Sequence, residues 1–326
     1  MERAELKKWF FDNMFGQPPI GRPADMELKP NGTILFGGGK VKIHLTVLLP
    51  PNAPKNAKLP VILIGDYRTS QPAKIEQYER QRANDAVILS NGFAVVRWDM
   101  NEVAPDQWVI NARARLPKDQ QPPCPNGVMD LYGGAVPTGN SWGTICAWAW
   151  GHARVLDWIE TCPRLDARRV AVAGQSRMGK TALCAAVLDE RFKMAYSSCS
   201  GTGGAHPYRL WKKGVAPMKI ITVQDFPRWM CLNMRKFHDD ETHVPHDSDE
   251  WMSLIAPRYL YVSSGSLDAW AGPKGEEWAT RKAAETWEEM GLKGMDGHVG
   301  YHCHKGPHMM GPEDFKLFCK FCKGRL

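Results

Sequence analysis

The chain has 326 residues, 43% of them hydrophobic and 24% charged, with 42 Lys and Arg against 35 Asp and Glu for a formal charge of +7. This is an ordinary soluble composition, large enough for a sizeable core, and its mild basic balance reads as a scattered solvated surface. No stretch of eighteen apolar residues and no run of five like charges occurs, which argues against a membrane helix and leaves nucleic-acid binding without a basic stripe or motif.

In chain order, Met1–Trp9 is charged and helix-like without the apolar segment of a signal peptide, and residues 2–15 are expected to form a short amphipathic helix. Lys40–Pro50 alternates and then turns apolar, as an early, partly exposed strand does, and the Pro/Asn/Lys-rich 50–60 reads as a loop. Apolar β-runs follow at Pro60–Gly65, Gly92–Trp98, Arg169–Gly174, Lys193–Ser198 and Arg258–Ser263. Helical patterns lie at 75–90, 144–160, 178–190 and 276–290, with a final helix at Pro312–Lys323. Strands alternating with helices in near-continuous apolar runs imply an α/β fold with a mostly parallel sheet buried on both faces. Residues 101–142 and 205–250 read as insertions over the strand ends of a single domain spanning 1–326, since no linker composition or repeat interrupts it. The nine cysteines are widely spaced and odd in number, so they form no disulfide framework and at least one thiol is unpaired within the chain.

The octapeptide Gly174-Gln-Ser-Arg-Met-Gly-Lys-Thr181 fits two incompatible chemistries. As G-x-x-x-x-G-K-[ST] it is a phosphate-cradling P-loop; as a strand-to-helix elbow it presents Ser176 as a nucleophile, near G-x-S-x-G but with the second glycine one place late. The P-loop reading needs a magnesium carboxylate. Only Asp99, upstream rather than downstream, is a tolerable candidate, and about four β-runs precede a motif that normally follows the first. The elbow reading needs Ser…Asp/Glu…His in that chain order. Asp268 ends Tyr261–Asp268 after a later strand, and the histidine-bearing loop Tyr301–His308 follows it, just before the last helix. Serine needs an imidazole to take its proton and a carboxylate to fix that imidazole's tautomer, and all three residue types arrive in a workable order.

Gly174–Lys180, Asp166–Gly174, Ala147-Trp-Ala-Trp-Gly151, Phe226-Pro-Arg-Trp229, Leu254–Arg258, Asp268-Ala-Trp-Ala-Gly-Pro273 and Val299-Gly-Tyr-His302 together resemble the glucuronoyl esterases, carbohydrate esterase family fifteen, in their bacterial-type branch. The resemblance runs from about residue 2 to 322. It implies an α/β-hydrolase fold with loop insertions over the active site. It also implies a serine esterase that cleaves 4-O-methyl-glucuronic acid esters of xylan with lignin alcohols, without metal or cofactor. By that resemblance Ser176 is the nucleophile, Arg177 the oxyanion donor, and Lys180 and Trp270 the sugar contacts, where Lys180 is otherwise a solvated helix residue and Trp270 a core tryptophan. Ser176 could alternatively cap its helix and Arg177 form a surface salt bridge. His308 is the expected base, with His302 and His304 as rivals, and Asp268 the expected acid. The fungal members' acid position holds Cys199 here, and Gln175 replaces the cysteine that in them forms a disulfide before the nucleophile.

Two rival functions stay open at this point: a carbohydrate deacetylase such as an acetyl-xylan esterase, and a non-catalytic carbohydrate-binding homologue suggested by the thirteen tryptophans. A zinc site from His302, His304, His308, Cys319 and Cys322 competes with a simpler helical core stripe of Phe315, Phe318, Cys319 and Cys322. The expected partner is a glucuronoxylan or its oligosaccharide ester, with no nucleic acid and no membrane, bound by a monomer. The resemblance implies a secreted or periplasmic enzyme with its signal absent from this chain; a native start at Met1 implies the cytoplasm.

Overall fold

The computed structural model describes residues 2–66, 75–115, 117, 120, 122–210 and 213–326, and only the backbone at 75–77, 108, 112 and 113. The parts of the 101–142 and 205–250 stretches at 116, 118, 119, 121, 211 and 212 therefore lie outside the described residues. The chain opens with α1 (Arg3–Phe10), which continues without a break into a π-helical turn over Phe11–Phe15, so the expected 2–15 helix is two segments of different pitch. Strands β1 (Glu27–Lys29), β2 (Thr33–Phe36) and β3 (Val41–His44) then form a small antiparallel sheet. Next come β4 (Thr46–Leu48), β5 (Leu59–Asp66), α2 (Ile75–Ser90), β6 (Ala94–Asp99), α3 (Met100–Val103), α4 (Gln107–Arg113) and α5 (Val128–Tyr132). Helix α6 (Thr144–Thr161), β7 (Leu165–Gln175), α7 (Arg177–Leu188) and β8 (Met194–Ser198) form the middle of the chain. The last third supplies α8 (Met218–Thr222), α9 (Ser248–Ser253), β9 (Tyr259–Gly265), α10 (Pro273–Glu289), β10 (Val299–His304) and α11 (Pro312–Cys322).

The expected single strand Lys40–Pro50 is two strands in two sheets: β3 pairs with β2 and β4 pairs with β6, while Leu45 between them donates its N–H to Gly32 instead. The large sheet runs β10-β9-β8-β7-β5-β6-β4, all parallel except the antiparallel edge β4. Its central strands are apolar without alternation because both faces are covered. Val61, Leu63, Val170 and Val172 join the core under α6, α7 and α10, whereas Ile62, Ile64, Ala171 and Ala173 join a second core with Ile88 of α2 and Phe315, Phe318, Cys319 and Cys322 of α11. The stripe reading of α11 is thus the observed one. All nine cysteines are free.

From β5 the chain builds outward to β6, then returns to β7 on the other side of β5, so β5 and β7 flank the point where the winding reverses. Crevices for ligands form at such points, beyond the carboxyl ends of the strands. Ser176 directly follows the end of β7.

Candidate active site

Strand β7 ends at Gln175 and α7 begins at Arg177, leaving one residue between them. A phosphate cradle has no room in that turn, and Asp99 spends its side chain accepting the Asn101 N–H at 2.9 Å, so the P-loop reading fails on geometry. Ser176 takes φ 58°, ψ −124°, a strained conformation for a residue with a Cβ, and its side chain makes no capping bond to α7. The capping role is therefore not the observed one. Strain stored at one residue of a tight turn is held by the surroundings: the Ser176 N–H donates to the Ser198 carbonyl at 2.8 Å, and its own carbonyl accepts from Gly179 and Lys180.

Two glycines permit the turn. A Cβ on Gly174 would lie 2.2 Å from the Met178 carbonyl oxygen. At Gly179 it would lie 3.0 Å from both the Ser198 carbonyl oxygen and the Ser200 Cβ, so this is where α7 presses onto the end of β8. That contact explains the late glycine: residue 178 is instead a buried methionine whose methyl reaches Gly65 of β5.

The neighbouring strands deliver the partners in register. Gln175 pairs with Ser198, Ser198 with Ser263, and Ser263 with His302, so four parallel strands end side by side at about 4.8 Å spacing. Beyond β9, Asp268 is 4% exposed and accepts the Ala271 N–H at 3.2 Å. Beyond β10, His308 places Nδ1 2.5 Å from Asp268 Oδ2. Burial alone would raise the Asp268 carboxyl, but the His308 bond and charge, the Ala271 N–H and the Cys199 thiol hold it below the usual carboxylate range. It stays ionised and fixes the His308 tautomer with hydrogen on Nδ1. The rival histidines are committed elsewhere: His302 and His304 both bond to Asp314 of α11. The five candidate zinc residues do not converge, since Cys319 and Cys322 are buried in the second core; only His302, His304 and Asp314, and separately Cys199, Asp268 and His308, bring ligand atoms within 4.8 Å among the described residues.

Cys199, at the end of β8, is buried at φ 46° with Sγ 3.6 Å from the Met309 carbonyl. Burial, reinforced by Glu276 and Asp268, pushes its thiol up, so it is a neutral group beside the acid.

Arg177 does not form a surface salt bridge. Its guanidinium pairs with the buried Asp106 and lies 5.0 and 4.9 Å from the ring centres of Phe226 and Trp229. Those two rings stack at 3.8 Å, and Trp229 Nε1–H donates to the other Asp106 oxygen at 2.9 Å. The insertions after β6 and β8 thereby anchor the arginine next to the elbow. Replacing Asp106 with Asn keeps its size and the Trp229 acceptor but removes the charge. With the guanidinium free to swing, kcat is expected to fall by about 10²-fold while the circular dichroism is unchanged; a steady-state assay on the variant checks it.

Lys180 is buried rather than solvated. Its ammonium donates to the Ser200 carbonyl, and burial lowers its pKa to about 7 against the pull of Glu276. Glu276, in the first turn of α10, was not visible as a site residue in the sequence. It is fully buried, accepts from Ser264 Oγ (2.6 Å) and the Gly201 N–H (2.9 Å), and burial raises its pKa to about 7. Asp106, Asp314 and Glu276 carried no motif; each is recognisable only from its partner across the fold. Trp270 is 53% exposed, so it is not a core residue.

A strained serine elbow at the switch point of a mostly parallel sheet, with an Asp–His pair on loops from the adjoining strands, defines the α/β-hydrolase class of serine hydrolases. A family model described as glucuronyl esterase, fungi, matches residues 36–291, and the chain belongs to the glucuronoyl esterases, carbohydrate esterase family fifteen, as a carboxylic ester hydrolase. It is 28% identical to the carbohydrate esterase MZ0003 of an unknown prokaryotic organism, over 98% of this chain and 83% of that protein. It is 30% identical to the 4-O-methyl-glucuronoyl methylesterase of Hypocrea jecorina over 54% of this chain, spanning 39% of that relative's length. Among solved structures, the glucuronoyl esterase from Solibacter usitatus superposes with a TM-score of 0.78 at 26% identity, covering 99% of this chain and 92% of that one. The family 15 glucuronoyl esterase from Caldicellulosiruptor kristjansonii superposes at 0.79 and 25% identity, covering 99% and 84%. Among the described residues no helix is long and apolar enough to cross a membrane.

Proposed function

We propose that the protein cleaves the ester joining the carboxyl of 4-O-methyl-glucuronic acid to an alcohol, through an acyl-enzyme on Ser176. The Asp268–His308 pair at 2.5 Å, on loops whose strands end beside the elbow, carries this reading. His308 Nε2 takes the Ser176 proton as Oγ attacks the uronate carbonyl, and later returns it to the leaving alcohol. Arg177, anchored on Asp106 at the N-terminus of α7, supplies positive charge to the tetrahedral oxyanion. Water then enters on the same base and releases the free uronate. Trp270 offers an exposed apolar face to the sugar C–H bonds, and Lys180 a hydrogen bond to its hydroxyls.

The substrate in this reading is glucuronoxylan or an ester of its oligosaccharides, met outside the cell by a monomer that needs no cofactor. A panel of benzyl and methyl glucuronates, methyl galacturonate and p-nitrophenyl acetate tests it. The kcat/KM for the glucuronates is expected to exceed that for the acetate by on the order of 10²-fold, because a site built to bond polar groups rejects an acyl group lacking them. Preference for acetate would point to a deacetylase. Xylan binding with no fluorophosphonate labelling would point to a carbohydrate-binding homologue.

A further inference from the structure

Two histidines on the edge strand β10 converge on one carboxylate oxygen, and their hydrogen bonds require different numbers of protons. His302 places Nε2 2.7 Å from Asp314 Oδ1 and Nδ1 3.0 Å from the Tyr261 hydroxyl. Burial pushes the tyrosine pKa up, so its hydroxyl keeps a hydrogen to donate, and a neutral His302 makes both bonds. His304 places Nδ1 2.9 Å from the same Asp314 oxygen and Nε2 3.0 Å from the Pro307 carbonyl. A carboxylate and a carbonyl only accept, and a neutral imidazole has one N–H. Both bonds coexist only if His304 is an imidazolium.

The surroundings support that charge. Asp314 is 3% exposed, and its second oxygen accepts the Gly311 N–H at 2.7 Å. Burial would raise its pKa, yet the His302 bond, the Gly311 N–H and the His304 charge hold it below the usual range.

The peptide held by His304 is the one that enters His308. In the same turn the Ser266 N–H donates to the His304 carbonyl at 2.9 Å, the Leu267 N–H to the Gly306 carbonyl at 2.8 Å, and the Gly306 N–H to Ser266 Oγ at 3.2 Å. The loop bearing Asp268 and the loop bearing His308 are thus joined along their backbones. The approach is so close that a Cβ on Gly265 would meet the Pro307 oxygen at 2.5 Å. No disulfide braces them.

We propose that His304, as an imidazolium bridging Asp314 and the Pro307 carbonyl, is a positioning residue that clamps the His308 loop to α11, so that losing its second proton loosens the catalytic base. The proposal rests on His308 being that base. The ionisable groups bonded to His304 or sharing its acceptor are Asp314 on α11 and His302 on β10, with Tyr261 on β9 behind His302, and the Asp268–His308 pair lies beyond the Pro307 peptide. On deprotonation one acceptor loses its hydrogen. The neutral Pro307 carbonyl, the weaker partner beside a carboxylate, is the one released. The sign follows: the clamp is closed while His304 is charged and opens as pH rises through its ionisation. His308 acts oppositely, since it must be neutral to take the serine proton. The expected signature is therefore an alkaline limb on which activity falls as His304 loses its second proton, opposite in sign to the His308 deprotonation that frees the base.

The test pairs imidazole ¹⁵N NMR of the wild-type protein, with His304→Gln assigning the signal, with kcat against pH on a glucuronate ester. His304 should show two protonated nitrogens at full activity, and lose one along the alkaline limb. His304→Gln should lower kcat at the optimum about 10-fold, with KM within about twofold, and remove that limb. Asp314→Asn should move the limb to lower pH, because a neutral amide no longer favours the charged ring. A singly protonated His304 at full activity, or a wild-type pH profile in His304→Gln, overturns the proposal. So does a stoichiometric metal in the purified protein whose chelation collapses activity, since it would assign the positive charge to an ion at His302, His304 and Asp314. If His304→Gln fails to fold, Asp314→Asn assigns the signal and the wild-type spectrum decides. If the esterase reading itself fails, activity on glucuronates is absent while the spectrum still reports the clamp.

Discussion

Alanine at position 176 is expected to lower kcat on a glucuronate ester by about 10⁵–10⁶-fold, the scale seen when the nucleophile of a serine triad is removed. Folding should be spared. The Ser176 hydroxyl makes no bond to the helix it precedes, and the backbone bonds that hold the elbow, from Ser176 N–H to Ser198 and to its carbonyl from Gly179 and Lys180, do not depend on the side chain. Alanine also keeps the Cβ that makes φ 58° costly, so the turn is no more and no less strained. Stability should change within about 0.5 kcal/mol. Urea unfolding of both proteins, with fluorophosphonate labelling and initial rates, reads the three expectations together. Residual turnover above about one per cent of wild type, with trace contamination excluded, would remove Ser176 from the chemistry.

The large sheet was readable because its strands are buried on both faces and so lack alternation, and because the helices between them carry ordinary periods. What escaped was whatever depends on an edge or a partner. Strand β10, Val-Gly-Tyr-His-Cys-His, is a polar edge strand and reads as a loop; its pairing with β9 makes it a strand. Lys40–Pro50 shows one pattern, yet Leu45 turns the chain from one sheet to the other, and alternation carries no information about which neighbour a strand joins. Chain order reached the histidine loop, and nearness to the last helix favoured His308, but two rival rings stayed open. The choice lies in two carboxylates far apart in sequence: Asp314 engages His302 and His304, and Asp268 engages His308. Lys180 illustrates the converse. Helical spacing put it one turn past the serine, but its burial against the Ser200 carbonyl depends on the loop after β8.

Asp268→Asn is expected to lower kcat by about 10⁴-fold with little change in KM. The placement of hydrogens matters here more than the charge. Asp268 accepts from His308 Nδ1–H, which leaves Nε2 unprotonated and able to take the serine proton. An asparagine can turn its amide toward the ring and donate to Nδ1, which moves the imidazole hydrogen to Nε2 and makes the base a donor. No neighbour can compensate. Cys199 stands at the end of β8, within 4.8 Å of the Asp268 and His308 ligand atoms, but its thiol is pushed up by burial and is therefore neutral. Glu276 is committed to Ser264 and the backbone of Gly201. The loss should thus be nearly complete, and ¹⁵N NMR should show the hydrogen moved from Nδ1 to Nε2 of His308. Acid behaviour supplies a second reading. The Asp268 pKa is lowered in the folded state, so its pairing stabilises the protein above the unfolded carboxyl value of about 3.9 and that contribution disappears as pH falls through the lower folded value. The asparagine variant lacks this dependence, and its stability should fall less between neutral and strongly acidic pH. A variant that keeps more than about a tenth of wild-type kcat, or that retains the Nδ1–H tautomer, would show that Asp268 does not orient the base.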